Sequence, residues 1–191
     1  MYSGTVGNGY SKKIIESALQ SGIWQTGLID TKDLVFYEEI RDICKGNVCR
    51  NYGATWACPP AIGTIEECKN RAMQYGKMLL FSIKYLFEVF FDIEGMRDAM
   101  LSFNNSVDLF DAKLKIFLSD YLLLSNEGCG RCDKCTYPGS PCRFPERLHH
   151  SIEGYGFNIG ELAEKTGIKY NNGKNTVTFF GGLLFETEKK N

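Results

Sequence analysis

This chain has no excess of either charge: 22 lysines and arginines stand against 23 aspartates and glutamates, a formal net charge of −1. No basic block stands out and residues 186–191 mix signs, so neither nucleic acid nor a polybasic membrane contact is expected as a partner. Long apolar runs are missing as well. The most apolar stretches, Met78–Ile83 and Leu86–Phe91, fall far short of the ~20 residues that a membrane helix needs. Met1 to Lys13 is polar and glycine-bearing and lacks the apolar stretch of a secretory leader. A soluble, cytoplasmic protein is the expectation. No glycine-rich phosphate loop follows a strand into a helix, so no nucleotide site is expected; Gly4, Gly7 and Gly9 make only a weak pattern.

Cysteine is what the chain has in abundance, with eight in 191 residues. In a secreted chain they would pair as disulfides. In a reducing compartment, clustered cysteines read as metal ligands or redox centres. At this length one domain over residues 1–191 can bury a core without help from crosslinks, so metal is not needed merely to make the chain fold.

The elements point to an α+β fold, a mostly antiparallel sheet packed against helices, with two cysteine-rich metal-binding loops. Ser11 is placed to cap a first helix carrying Ile14, Ile15, Ala18 and Leu19. Leu34–Ile40 alternates like a strand. Thr64-Ile65-Glu66-Glu67 is a capping box opening a helix to about Tyr75. Met78–Tyr85 reads as a buried strand. Ile93, Met96, Met100, Phe103, Val107, Phe110, Leu114 and Phe117 step by three and four, an apolar seam on a long helix that Asn104-Asn105-Ser106 can bend. Such a seam packs on its own sheet or offers a partner surface. Tyr121–Leu124 reads as a short strand, and Ile159–Thr166 as a helix capped by Asn158. The last strand, Thr176–Phe185, contains Gly181-Gly182 and is expected to bend or bulge.

The second cysteine set is the sharper one. Cys129, Cys132 and Cys135 are spaced by two residues each, and Cys142 follows after six more. Two-residue spacers let a tight loop wrap a cube and bring three thiolates to three irons, the opening used by bacterial ferredoxins. Four-thiolate zinc sites instead join two separated Cys-x2-Cys knuckles, so a [4Fe–4S] cluster is preferred and zinc is the alternative. The first set is Cys44, Cys49 and Cys58, spaced by four and eight residues. Glycines in that loop let amides approach sulfur, Pro59-Pro60 stiffens its exit, and Tyr52 and Trp56 can shield a cluster from water. Cys68 is either a fourth ligand there or a small buried apolar residue.

At these residues the chain resembles the predicted metal-binding protein family also called domain of unknown function 2284. The resemblance runs from Ile29-Asp30 and Arg41-Asp42-Ile43-Cys44, through Cys49-Arg50-Asn51-Tyr52-Gly53 and Cys58-Pro59-Pro60. It continues to Cys129–Cys135, Cys142-Arg143-Phe144-Pro145 and Ser151-Ile152-Glu153-Gly154-Tyr155-Gly156. It implies a prokaryotic cytoplasmic protein, often of anaerobes, with metal on the seven matching cysteines; Cys68 is outside the pattern. It implies no settled reaction.

Three functions follow from these readings. The first is electron transfer through one or two [4Fe–4S] clusters, with an unidentified redox partner protein or small molecule. The second is an iron–sulfur enzyme whose three-cysteine cluster exposes an iron to a small molecule. The third is a zinc-stapled binding or regulatory module. His149 and His150 read as a solvated turn rather than ligands. Arg41, Arg50 and Arg143 flank cysteines and can offset cluster charge or simply face water. Glu153 is a weak candidate for general acid–base work.

Overall fold

The computed structural model describes residues 9–87, 93–126 and 128–186. Gly4 and Gly7 of the weak glycine pattern, most of the polar N-terminal stretch and much of Leu86–Phe91 lie outside them. Five strands form one sheet in the order β1-β2-β5-β3-β4. These are β1 (Gln25–Asp30), β2 (Lys77–Leu86), β3 (Tyr121–Ser125), β4 (His150–Ser151) and β5 (Thr176–Phe185). All neighbours are antiparallel except β3 and β4. Helices α1 (Gly9–Leu19), α2 (Glu38–Lys45), α3 (Ile65–Ala72), α4 (Ile93–Leu114) and α5 (Ile159–Thr166) complete the α+β architecture.

Helices cover both faces of the sheet, and this explains the continuous apolar run of β2. Met78 and Leu80 pack with Leu124, Phe180 and Leu184 against Cys68 and Ala72 of α3, Leu162 and Ala163 of α5, and Tyr155. Leu79, Phe81 and Ile83 point the other way, joining Leu123, Leu183 and Phe185 against Ile14 and Ala18 of α1 and Phe103, Val107, Phe110 and Leu114 of α4. A strand buried on both sides shows no alternation. The α4 seam is buried from Phe103 to Leu114, whereas Ile93 and Met96 at its start are exposed and Phe117, half-buried, lies past the end of the helix. Asn104-Asn105-Ser106 does not interrupt the helix. Among the described residues no helix is long and apolar enough to cross a membrane.

Local signals decide several ends. Thr64 accepts from the Glu67 amide while the Glu67 carboxylate accepts from the Thr64 amide, a complete capping box at α3. The Asn158 side chain accepts from the Glu161 amide and starts α5. Ser11 does not cap α1; it lies inside the helix and is buried. The stretch Leu34–Ile40 is not a strand. Its Tyr37 amide donates to Gly156 O (2.8 Å), and from Glu38 the chain turns helical, with acids in the first turn and Lys45 in the last.

The glycines of β5 sit in straight ladder, with Gly181 opposite Phe81 and Gly182 opposite Leu80 and no bulge. Their smallness is needed for packing. A Cβ on Gly181 would meet the Phe81 ring and the Leu124 carbonyl oxygen (2.8 Å), whereas one on Gly182 would meet first the movable Met78 Cε. We therefore predict that Gly181→Ala costs roughly 1–3 kcal/mol by overpacking and Gly182→Ala distinctly less. Urea unfolding midpoints check this, and equal losses would refute it.

Candidate metal centre

Two loops carry the seven candidate cysteines. The first leaves α2 and runs to α3; the second leaves β3 and returns to β4. None of the eight cysteines is in a disulfide.

In the second loop, Gly128 (φ +74) and Gly130 (φ +64) flank Cys129 with left-handed backbone that other residues adopt at a cost. That curl lets Cys129, Cys132, Cys135 and Cys142 line a single cavity of about 430 Å³. Arg131, Lys134 and Arg143 line it too, as do Asn51, Thr55 and Trp56 from the first loop. Burial pushes the Cys129 thiol up, while the Arg131 amide and its positive charge pull it down; Cys142 and Cys132 add to the rise. The Phe144 amide donates to Cys142 Sγ (3.4 Å). Such N–H···S bonds and nearby cations stabilise a negative thiolate assembly.

In the first set, Cys58 and Cys49 act electrostatically on Cys44. Cys44 lies in the last turn of α2, Cys58 is buried, and Cys49 lies at the surface. Burial pushes the Cys44 thiol up to about 11, with Glu153, Cys58 and Cys49 acting in the same direction and Arg41 against them. The loop is fixed by Gly53 N to Pro59 O (2.8 Å) and by Ser151 N to Ala57 O (2.8 Å). Asn47 and Arg50 have positive φ, and the Asn47 side chain compensates by accepting from the Tyr52 amide (2.9 Å). Trp56 joins the two loops: its ring meets Tyr137 edge-on at 4.9 Å, and its Nε1 donates to Ser140 O (3.1 Å).

Cys68 lies elsewhere, fully buried in the apolar cluster under the sheet. Arg71 Nη2 (3.2 Å) and Arg41 Nη1 (3.8 Å) approach its sulfur. Arg41 does not face water: it is buried, donates to the carbonyls of Gly63 (2.6 Å) and Gly154, and acts by its charge on Cys44. Arg143 is exposed along the cavity rim, and Arg50 is exposed.

The histidines are not on a solvated turn. His149 Nε2 lies 3.5 Å from Asp108 Oδ1, with 9% of its side chain exposed. His150 starts β4, and burial, aided by Arg71 and His149, lowers its pKa to about 4. Asp108 was not legible as a site residue. It takes a two-pronged contact from Arg131 (Nη1 to Oδ2 2.6 Å, with Nη2 to Oδ1), and Arg147 Nη2 approaches Oδ2 at 2.6 Å. Burial pushes its carboxyl up, but His149, Arg131 and Arg147 beside it outweigh that and hold it well below the usual carboxylate range. The available signal was an acid beside the buried stripe position Val107.

The donor set fits a thiolate-held metal. Four thiols face one space, and cations sit where that charge would gather. Among the described residues no three His, Cys, Asp or Glu side chains close on one point as ligands of a single ion; the second-loop thiols stand round the walls of a cavity. A family model described as "Predicted metal-binding protein (DUF2284)" matches residues 27–185. No curated protein and no solved structure matches.

Asp108→Asn should cost roughly 3 kcal/mol, because Arg131 is left with an uncompensated, largely buried charge. It should also lower metal retention about tenfold or more, as loss of a ligand-orienting group does. Glu16→Gln, which breaks the exposed Lys12 pair, should stay within about 0.5 kcal/mol. Urea unfolding and metal analysis of both variants test this, and indistinguishable behaviour would disprove it.

Proposed function

We propose, on the premise that this chain belongs to the DUF2284 family of predicted metal-binding proteins, that it is an iron–sulfur electron-transfer protein. Its cofactor would be one or two [4Fe–4S] clusters. The carrying observation is that Cys129, Cys132, Cys135 and Cys142 all line one cavity of about 430 Å³. A single zinc ion asks four sulfurs to meet about 2.3 Å from a point; a cube spreads its ligands over its corners. The open cavity favours the cube.

Cys129, Cys132, Cys135 and Cys142 would hold one cluster, and Cys44, Cys49 and Cys58 the other. When bound, a cluster of this kind stores and releases single electrons. The residues around it set the conditions for that. Arg131, Lys134 and Arg143 offset thiolate charge, the Arg131 and Phe144 amides point at sulfur, and Trp56 and Tyr137 wall the site from water. Air-sensitive clusters of this type suit a reducing cytoplasm, and the electrons would pass to a redox protein or small molecule.

A second reading concerns the first set alone. Cys68 lies among Arg41, Arg71 and the apolar core, which supports three thiols there instead of four. A three-cysteine cluster leaves one iron open to a small molecule, and the chain would then be an enzyme.

Oxygen-free purification should yield a brown protein with roughly four or eight irons per chain, reducible by dithionite. Near-stoichiometric zinc without iron would end the cluster reading. Cys68→Ala should leave the iron count unchanged and cost only stability. If a correctly folded Cys68→Ala chain loses a whole cluster, the three-thiol reading is wrong.

A further inference from the structure

A second cavity, of about 730 Å³, shares no lining residue with the cysteine-walled one. It opens where β5 begins, between the start of α4 and the loop that precedes β5. Its size falls within the range typical of small-molecule sites. The lining has two characters. Phe87, Tyr170, Phe179 and Phe180 give it aromatic surface, with Tyr170 stacked on Phe180 at 5.5 Å. Asn126, Asn171, Asn172, Asn175, Thr176 and Thr178 give it amides and hydroxyls. The two charged lining residues, Glu153 and Lys174, are opposite in sign, so no net charge selects an ion.

Two of the amides are incompletely matched. Asn126 is 2% exposed, and its Nδ2 has no hydrogen-bond partner among the described residues. A buried amide N–H left without an acceptor is costly, and native proteins rarely tolerate one. Asn172 is half-buried. Its Nδ2 donates to Thr178 Oγ1 (2.8 Å) and Lys169 O (3.2 Å), whereas its Oδ1 has no partner among the described residues. One of these amides asks for an acceptor and the other for a donor. The loop that carries Asn172 is already fixed. Thr176 Oγ1 donates to Gly173 O (2.7 Å), the Gly173 amide donates to Asn171 Oδ1 (3.1 Å), and the Phe87 amide donates to Asn175 O (2.8 Å). A ligand therefore meets backbone already in place, which limits the ordering cost of binding.

We propose that this cavity binds a sugar-like ring, a small molecule with several hydroxyls along its edge and carbon–hydrogen surface on its faces. A hydroxyl both donates and accepts. One hydroxyl takes the Asn126 Nδ2–H, and another on the same ring donates to Asn172 Oδ1. The remaining hydroxyls meet the other amides and hydroxyls of the lining, and a carbon–hydrogen face lies against the aromatic side chains, Tyr170 among them. A purely apolar ligand would strip water from the polar half of the wall and leave both amides unmatched, a cost that contact with the rings does not repay. A small polyol without a ring would satisfy the amides and leave the aromatic surface uncovered. Glu153, whose charge acts on Cys44, is not needed as a ligand contact. The binding does not depend on which metal the cysteines hold.

The test uses the full chain purified without oxygen. The probes are the methyl glycosides of glucose, galactose and mannose, with cyclohexanol and glycerol as comparators, followed by saturation-transfer NMR and titration. At least one glycoside should bind about tenfold more tightly than either comparator. Asn126→Leu should erase that advantage. Asn172→Ala should weaken the preferred glycoside by about threefold or more, and Tyr170→Ala, at an exposed position, by about threefold. No glycoside preferred over both comparators would overturn the proposal. So would a preferred glycoside that binds Asn172→Ala or Tyr170→Ala as tightly as wild type, even if Asn126→Leu fails to fold. Iron is measured on the same samples. Glycoside binding without iron sinks only the cluster reading, and full iron without glycoside binding sinks only the cavity.

Discussion

Asp108 projects from α4 toward Arg131, Arg147 and His149, and all three belong to the second cysteine loop or to the chain leaving it. Arg131 sits between Cys129 and Cys132, Arg147 follows Cys142, and His149 leads into β4. A carboxylate that loses water is costly on its own, and here the partners more than offset the cost. The result is a loop whose two arms are tied to one point on a rigid helix. Arg131 adds a second tie by donating from Nε to the Arg147 carbonyl (2.9 Å). Without that anchor, four thiols on a glycine-bearing loop would have no reason to face the same space.

The rest of the site depends on this placement. The first loop is held by β4 through the Ser151 amide and reaches the second loop through Trp56. Its residues Asn51, Thr55 and Trp56 then complete the wall of the second cavity. The larger cavity lies beyond the end of β3, where Asn126 follows the strand. The two cysteine loops therefore meet beside the short parallel pair of β3 and β4, where the described sheet departs from antiparallel order.

Much of this was legible in the sequence because the signals were local. Thr64 and Glu67 announce α3, Asn158 announces α5, and the dense apolar run at Met78 announces a strand buried on both faces. What escaped was decided by distant partners. Strand β1 reads Gln-Thr-Gly-Leu-Ile-Asp with little alternation, and it is a strand because β2 pairs with it; Gly27 is needed where the Thr166 carbonyl comes close. Leu34–Ile40 alternates convincingly, yet Gly156 takes the Tyr37 amide and a helix follows. The cysteine spacing marks the ligands, but nothing near His149 in the chain points to Asp108.

The strand order carries a consequence for how the protein is made. Strand β5 pairs with β2 on one side and β3 on the other, yet the ribosome produces it after every other strand described. Until it emerges, the sheet exists as two separate halves, β1-β2 and β3-β4, each lacking its central neighbour. In the chain the first loop lies between β1 and β2 and the second between β3 and β4, although the folded first loop is held by β4. Both sets of thiols are thus translated before the central strand that joins the two halves of their scaffold.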